Sequence, residues 1–312
     1  PDTVTEPDPM VDTARHLTEI ARFPGAPALA GHIDYGRNGA APCTLALLEQ
    51  YIPNQGDLDD RVRDLLQRLY DEHFAAGSGD AWREDPGQIG FAGLIDRLGA
   101  RIAGLHVALA AGTGEAGHGN DAFRPEPMTD ADNQRLREDL HTAASGALTT
   151  LRGRRDQLRA GAVDTADRLL AAEAELHQRI DDLGRHGCGP ARCRLHGDLR
   201  LARVMVAQDE PVFIDAGGPA HRPPAERRAK RPPLTDLGTL LCDLHTTVAD
   251  IQHRMRTEHP DLHPRLVESL ATWRRETVDR LLAAHAAAAE GSPLLAADPA
   301  ERAKTVRVLA LG

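Results

Sequence analysis

Aromatic side chains are scarce in this sequence, at 3% of 312 residues. Cysteine is scarce too: Cys43, Cys188, Cys193 and Cys242 are the only four, with no C-x-x-C pair among them. That spacing excludes a disulfide-dense scaffold and a ribbon-type zinc site. Cys188 and Cys193 could bridge, or share a metal with His186 and His196. No second ligand pair lies nearby, so scattered reduced thiols are the expectation. An excess of positive charge is missing: the formal net charge is -10, so a polyanion-binding surface is not the default. The local basic run Arg152, Arg154, Arg155, Arg159 lacks interleaved aromatics, which argues against a nucleic-acid partner. No apolar run can span a bilayer, no signal peptide is visible, and no internal repeat is evident. A cytoplasmic protein with no nucleic-acid or membrane partner is the expectation. The chain begins at Pro1, so part of a longer polypeptide is also expected.

What is present in abundance is Ala, Leu and Arg, a helix-rich composition on a chain long enough for a sizeable core. Val11, Ala14, Leu17, Ile20 and Ala21 recur at helical spacing, and Phe23-Pro24-Gly25-Ala26-Pro27 ends that helix. Two strands are predicted, Leu29 to Tyr35 and Cys43 to Tyr51, around a Gly36-Arg37-Asn38-Gly39 turn. The second strand is apolar on both sides, so it is expected to be buried or partly so. Ile52-Pro53-Asn54-Gln55-Gly56-Asp57 breaks it and reads as a hinge. Beyond lie helices: Leu58 to Phe74, Gly90 to Ala111, Asp130 to Arg159 and Ala162 to Leu183, with a loop over Gly77 to Gly87 and a Gly-rich one over Gly112 to Glu126. Small residues in Gly90 to Ala111 would admit a neighbouring helix, and His106 there reads as a core histidine. Leu237 to Ile251, Leu266 to Ala289 and Pro299 to Leu311 are helical again. Pro219 to Asp236 is Pro-bounded, basic and too irregular for a helix.

The pattern with chemical content is Arg194-Leu195-His196-Gly197-Asp198-Leu199, followed by Val204-Met205-Val206, a Gln208-Asp209-Glu210 turn, and Val212-Phe213-Ile214-Asp215. A hairpin of this kind can bring Asp198 and Asp215 to the mouth of one cleft. Phosphoryl transfer from ATP needs that arrangement: one carboxylate to orient the acceptor hydroxyl and take its proton, another to hold Mg²⁺ against the phosphates. Taken alone, His-Gly-Asp is a common turn tripeptide and an Asp after a strand a common turn former.

More of the chain points the same way. Arg22-Phe23-Pro24, Pro27-Ala28-Leu29, Thr44-Leu45-Ala46-Leu47-Leu48 through Pro53-Asn54-Gln55-Gly56-Asp57, Leu98-Gly99 through Leu105-His106-Val107-Ala108-Leu109-Ala110, Ala122-Phe123 with Pro125-Glu126-Pro127, the His196-Gly197-Asp198 phrase, Ile214-Asp215, and Glu226-Arg227-Arg228 through Pro233-Leu234-Thr235-Asp236 resemble, in one order, the actinobacterial maltokinases. That resemblance implies an α+β, helix-dominated, protein-kinase-like fold of the aminoglycoside-phosphotransferase type. Residues 1–51 would be a remnant of the small lobe, 52–57 the hinge, and 58–312 a helical lobe carrying the catalytic hairpin 194–219. It implies Asp198 as catalytic base with His196 in the same loop, Asp215 as the Mg²⁺ ligand, and Glu49, Gln50, Tyr51 and Asn54 lining the adenine pocket. The cofactors would be ATP and Mg²⁺ and the substrate maltose, giving maltose 1-phosphate for α-glucan synthesis. Trehalose synthase would be a fused or associated partner. A glucosamine kinase is the near alternative.

The departures from that pattern are specific. Arg200 replaces a second His, Ala202 a Gly, and Arg203 the Gln that supplies a metal ligand. Asp215 is followed by Ala216-Gly217-Gly218-Pro219, without the expected aromatic and acid. A guanidinium has donors only and cannot ligate a cation. Near Mg²⁺ it would repel the ion by about 1 kcal/mol per pair of unit charges in water, and several-fold more in a partly buried cleft. No Gly-rich phosphate loop or strand-borne lysine precedes the first helix; Asp12 is the candidate for that lysine's acid partner. The family's terminal Tyr- and Arg-rich segment is absent after Leu311. These changes motivate a second expectation, a pseudokinase or structural module. An antibiotic-modifying phosphotransferase ranks third, because Arg222 to Arg231 ill suits a polycationic substrate.

Overall fold

The computed structural model describes residues 8–36, 43–75, 77, 79–112, 121–186, 188–258, 263–296 and 298–310. Helix α1 (Pro9–Arg15) is capped by Asp8, whose carboxylate accepts from Met10 N at 2.8 Å, and it continues into a π turn over His16–Ile20. Strands β1 (Leu29–Tyr35) and β2 (Cys43–Glu49) pair antiparallel, with His32 opposite Leu47 and Tyr35 opposite Cys43. Most of the turn expected between them lies outside the described residues. Only the weaker form of one expectation holds here: β2 is partly covered, with Thr44, Leu47 and Glu49 half-buried. Leu45 and Leu48 are 64% and 65% exposed, and Ile33 on β1 is 62% exposed. Apolar composition promotes a strand but does not supply a cover; an isolated two-stranded ribbon has two open faces.

After the extended connector, α2 (Leu58–Leu69) starts at Asp57, which accepts from Asp60 N, and buries Leu58, Val62, Leu65, Leu66 and Leu69 on one stripe. Its expected last turn is instead a π turn, Tyr70–Phe74, that carries both aromatic rings into the core. The expected loop at 77–87 contains a 3₁₀ turn, Ala81–Glu84, packing Trp82. It also contains the true start of α3 (Pro86–Leu109). Asp85 caps that helix by accepting from Gly87 N and Gln88 N, with Pro86 at the first helical position.

Strand β3 (Glu126–Pro127) leads to α4 (Asp130–Arg154), which opens on a reciprocal cap between Thr129 and Asp132. The two long helices expected up to Leu183 are three. Helix α4 stops at Arg154, α5 covers Ala160–Ala171, and α6 covers Glu173–His186. No Gly or Pro marks the break at Ala172. Strand β4 (Ala191–Arg192) pairs with β3. Strands β5 (Val204–Ala207) and β6 (Glu210–Phe213) form a hairpin whose turn residues Gln208 and Asp209 both have positive φ, 51° and 61°. That is the two-residue turn that suits the twist of a hairpin. A short α7 (Pro224–Arg227) interrupts the segment expected to be irregular. Helices α8 (Leu234–Glu258), α9 (His263–Ala288) and α10 (Pro299–Leu309) close the body.

The core is set by close helix approaches. A Cβ on Gly99 of α3 would lie 2.6 Å from Leu281 O and 2.8 Å from Ala284 Cβ, both on α9. Gly99→Ala must therefore push α3 and α9 apart. The expected result is a loss of about 1–3 kcal/mol in urea denaturation, with no change in helix content by circular dichroism. An unchanged urea midpoint would mean the two helices slide freely.

Candidate active site

The chain leaving β4 is fastened to the Pro-rich segment, since Cys193 and Arg231 exchange backbone hydrogen bonds of 3.0 and 2.9 Å. It then turns through His196, Gly197 and Asp198 over the first turn of α8. Asp236 stands in that turn, 1% exposed. Its two oxygens accept from His196 N and Gly197 N, each at 3.0 Å, and His106 Nε2 lies 3.4 Å away. Burial opposes the charge on Asp236. The His106 ring, with His196 and the Gly197 N–H, outweighs it and holds the carboxyl below the usual range. Asp243, one helical stretch on, takes Leu201 N at 2.8 Å.

His196 joins this loop to the next one. Its Nε2 donates to Ile214 O at 2.9 Å, and its own carbonyl accepts from Gly217 N and Gly218 N, both at 2.9 Å. The ring is fully buried, and burial pushes its pKa down, so it is neutral. The structure thus places His196 behind the site as a strut between two loops. The loops carry Asp198 two residues beyond His196 and Asp215 one residue beyond Ile214. Asp215 sits in the left-handed region at φ 58°, an uncommon conformation that Asp tolerates. Gly217 could not carry a side chain: a Cβ there would lie 2.8 Å from the Met10 backbone. The loop after Asp215 is packed against α1, which leaves no room for a side chain at position 217.

Both candidate carboxylates are held by arginine. Arg200 Nε donates to Asp198 Oδ1 at 2.8 Å, and Arg203 Nη1 is hydrogen-bonded to Asp215 Oδ2. Two further pairs tie α1 to the same region. Arg227 bridges Asp8 and Gly217 O, and Arg228 meets Asp12 at 3.1 Å. Within this chain Asp12 pairs with Arg228. Burial raises its pKa more than the Arg228 charge lowers it.

The connector residues lie along the hairpin. Gln55 N donates to Val206 O at 2.8 Å and Val206 N to Gly56 O at 3.0 Å, while Gln50 N reaches back to Ala28 O. Asn54 spends its side chain locally, donating to Ile52 O and accepting from Gly56 N. Tyr51 is 82% exposed, Gln50 is exposed, and Glu49 is half-buried with its pKa raised by that burial. The four cysteines are free thiols, and burial pushes Cys188 and Cys193 up to about 12.

A hard divalent ion does not fit this pair of carboxylates as they stand. The Arg203 guanidinium, which has donors only, occupies Asp215. Asp236 was missed as a functional residue by the sequence reasoning. Its only signal there was its place in the Leu234-Thr235-Asp236 phrase.

No protein-family model and no curated protein matches the chain. Solved structures of glucosamine kinase do share its fold. One crystal form superposes with a TM-score of 0.69 at 20% identity, covering 98% of this chain and 64% of that one. A complex with glucosamine, ADP and inorganic phosphate gives 0.68 at 20% identity, over 96% and 65%. A second crystal form gives 0.66 at 20% identity, over 98% and 62%. The chain spans just under two thirds of the length of these structures. The fold is the helix-dominated, kinase-like α+β arrangement expected from the sequence. Among the described residues, no helix is long and apolar enough to cross a membrane.

Proposed function

We propose that this chain carries the acceptor-side machinery of an ATP-dependent sugar kinase. The observation that supports it is the His196 strut, which holds the Asp198 and Asp215 loops together. In this reading Asp198 orients the sugar hydroxyl and takes its proton, Asp215 faces the phosphates, and Asp236 and His196 position both loops. The acceptor is a small sugar: maltose by the family resemblance, with trehalose synthase as associated partner, or glucosamine by the fold neighbours. The connector around Glu49, Gln50, Tyr51 and Asn54 would border the adenine. In this reading the reaction runs in the cytoplasm, where ATP is available.

The test is ADP release by the full-length protein with ATP, Mg²⁺ and either maltose or glucosamine. Release with one of the two sugars is expected, falling about 10²-fold or more in Asp198→Asn. No release with either sugar would sink this reading.

The arginine pairs favour a second reading, a nucleotide-binding module without transfer. In it Arg203 supplies positive charge where the metal would stand. It predicts that ATP raises the melting temperature equally with and without Mg²⁺, and that Arg203→Gln removes the effect. A rise that appears only with Mg²⁺ would count against it.

A further inference from the structure

Away from the carboxylate loops, the end of the first long helix meets the start of the next around three ligating side chains. The geometry points to a divalent-cation site formed by Glu72, His73 and Asp85, of the borderline class that takes mixed nitrogen and oxygen ligands, with Zn²⁺ the best match.

One ligand atom from each residue lies within 4.8 Å of the others. His73 Nε2 and Asp85 Oδ2 are 3.5 Å apart. That is too long for a hydrogen bond. It is close to the roughly 3.4 Å edge of a tetrahedron built on metal bonds of about 2.0–2.1 Å. His73 Nε2 is buried and has no hydrogen-bond partner. The acid it faces, Asp85 Oδ2, stands at ion-pair distance, a spacing that an ion bound between the two would also set.

Asp85 is prepared for the role. It is only 8% exposed, and Gly87 N, Gln88 N and Arg68 Nη2 all donate to Oδ1. Those contacts fix the carboxylate plane and aim Oδ2 at His73, as outer hydrogen bonds orient a metal ligand. Arg68 Nη2 is 3.2 Å from Oδ1, whereas His73 faces Oδ2. Two carboxylates more than balance its charge. Glu72 and His73 lie within the π turn Tyr70–Phe74, a local widening often found where a helix carries function. Glu72 is exposed, which leaves solvent access to a fourth coordination position. Mg²⁺ and Ca²⁺ prefer all-oxygen sets and fit less well. A bound ion would staple the end of α2 to the start of α3 across the link between them.

The experiment is titration of EDTA-treated full-length protein with Zn²⁺ by calorimetry, with melting temperature read in parallel and Co²⁺ as a visible probe. One ion per chain is expected, with a rise in melting temperature. His73→Ala should weaken binding about 10-fold or more and abolish the Co²⁺ ligand-field bands. Glu72→Gln should weaken it too while leaving the α3 cap intact, which Asp85 variants would not. His141 and His177 offer a competing pair, with their Nδ1 atoms 2.6 Å apart. Binding that survives His73→Ala, or is lost only in His141→Ala, overturns the assignment, as does the absence of uptake at micromolar Zn²⁺.

Discussion

Asp236→Ala is expected to destabilise the protein by about 3–5 kcal/mol, the cost of breaking a buried charged network from one side. The carboxylate is 1% exposed and satisfies two backbone N–H groups at 3.0 Å. Removing it leaves His196 N and Gly197 N without an acceptor inside the protein, at about 1–3 kcal/mol each. It also leaves the His106 ring facing a cavity. Asp236→Asn should cost less, because the amide oxygen can still accept one of the two bonds. The measurement is the urea midpoint of the three proteins at neutral pH, followed by a cycle with His106→Leu to isolate the coupling. A loss under about 1 kcal/mol for the alanine variant would show that water replaces the carboxylate and that the loop is not held from below.

Acid should unfold the protein earlier than its carboxylates alone would dictate. His16, His196 and His285 are buried, and burial lowers the pKa of each. His285 is pushed down to about 3, first by burial and then by His106 and Arg302. Its charged form is disfavoured in the folded state. Above the ordinary histidine value of 6.5 neither state binds the proton, and stability is unaffected. As pH falls below that value the unfolded chain takes the proton and the folded one does not. Stability then drops until the folded value is reached. At pH 5 this single ring accounts for about 2 kcal/mol. His285→Leu should therefore flatten the fall in urea midpoint between pH 7 and pH 5, whatever it does to stability at pH 7. Parallel curves for the two proteins would mean the ring is protonated in the folded state.

The hairpin was legible because its turn chemistry is local. Gln208-Asp209 between two β-rich runs leaves few alternatives, and the pairing put Asp198 and Asp215 on neighbouring loops. The arginine at 203 was legible as a conflict with a cation, because its donors-only chemistry is a property of the residue. Its seat on Asp215, and the matching hold of Arg200 on Asp198, came only with the coordinates. Asp236 could not be singled out by pattern. An acid in the first turn of a helix reads as ordinary dipole compensation, and its partners lie 39 and 40 residues earlier in the chain. The exposure of β2 escaped for a related reason. An apolar run says what a strand could bury, not whether anything arrives to cover it. The two π turns have no compositional signature, and the start of α3 was missed although Asp85-Pro86 is a strong opening signal.

The bonds between the connector and β5 decide where this molecule can bend. From Gln55 onward the backbone is stitched to Val206, and through the β5–β6 hairpin and His196 to the loop over Asp236. Any swing of the β1–β2 ribbon against the helical body must pivot at both of its ends: between Gln50 and Asn54, upstream of that seam, and between Leu29 and Gly25, whose carbonyl accepts from Phe213 N of β6. Opening and closing the ribbon would then leave the spacing of the two acidic loops untouched. The position of the ribbon and the spacing of the two carboxylate loops would then be set by different bonds.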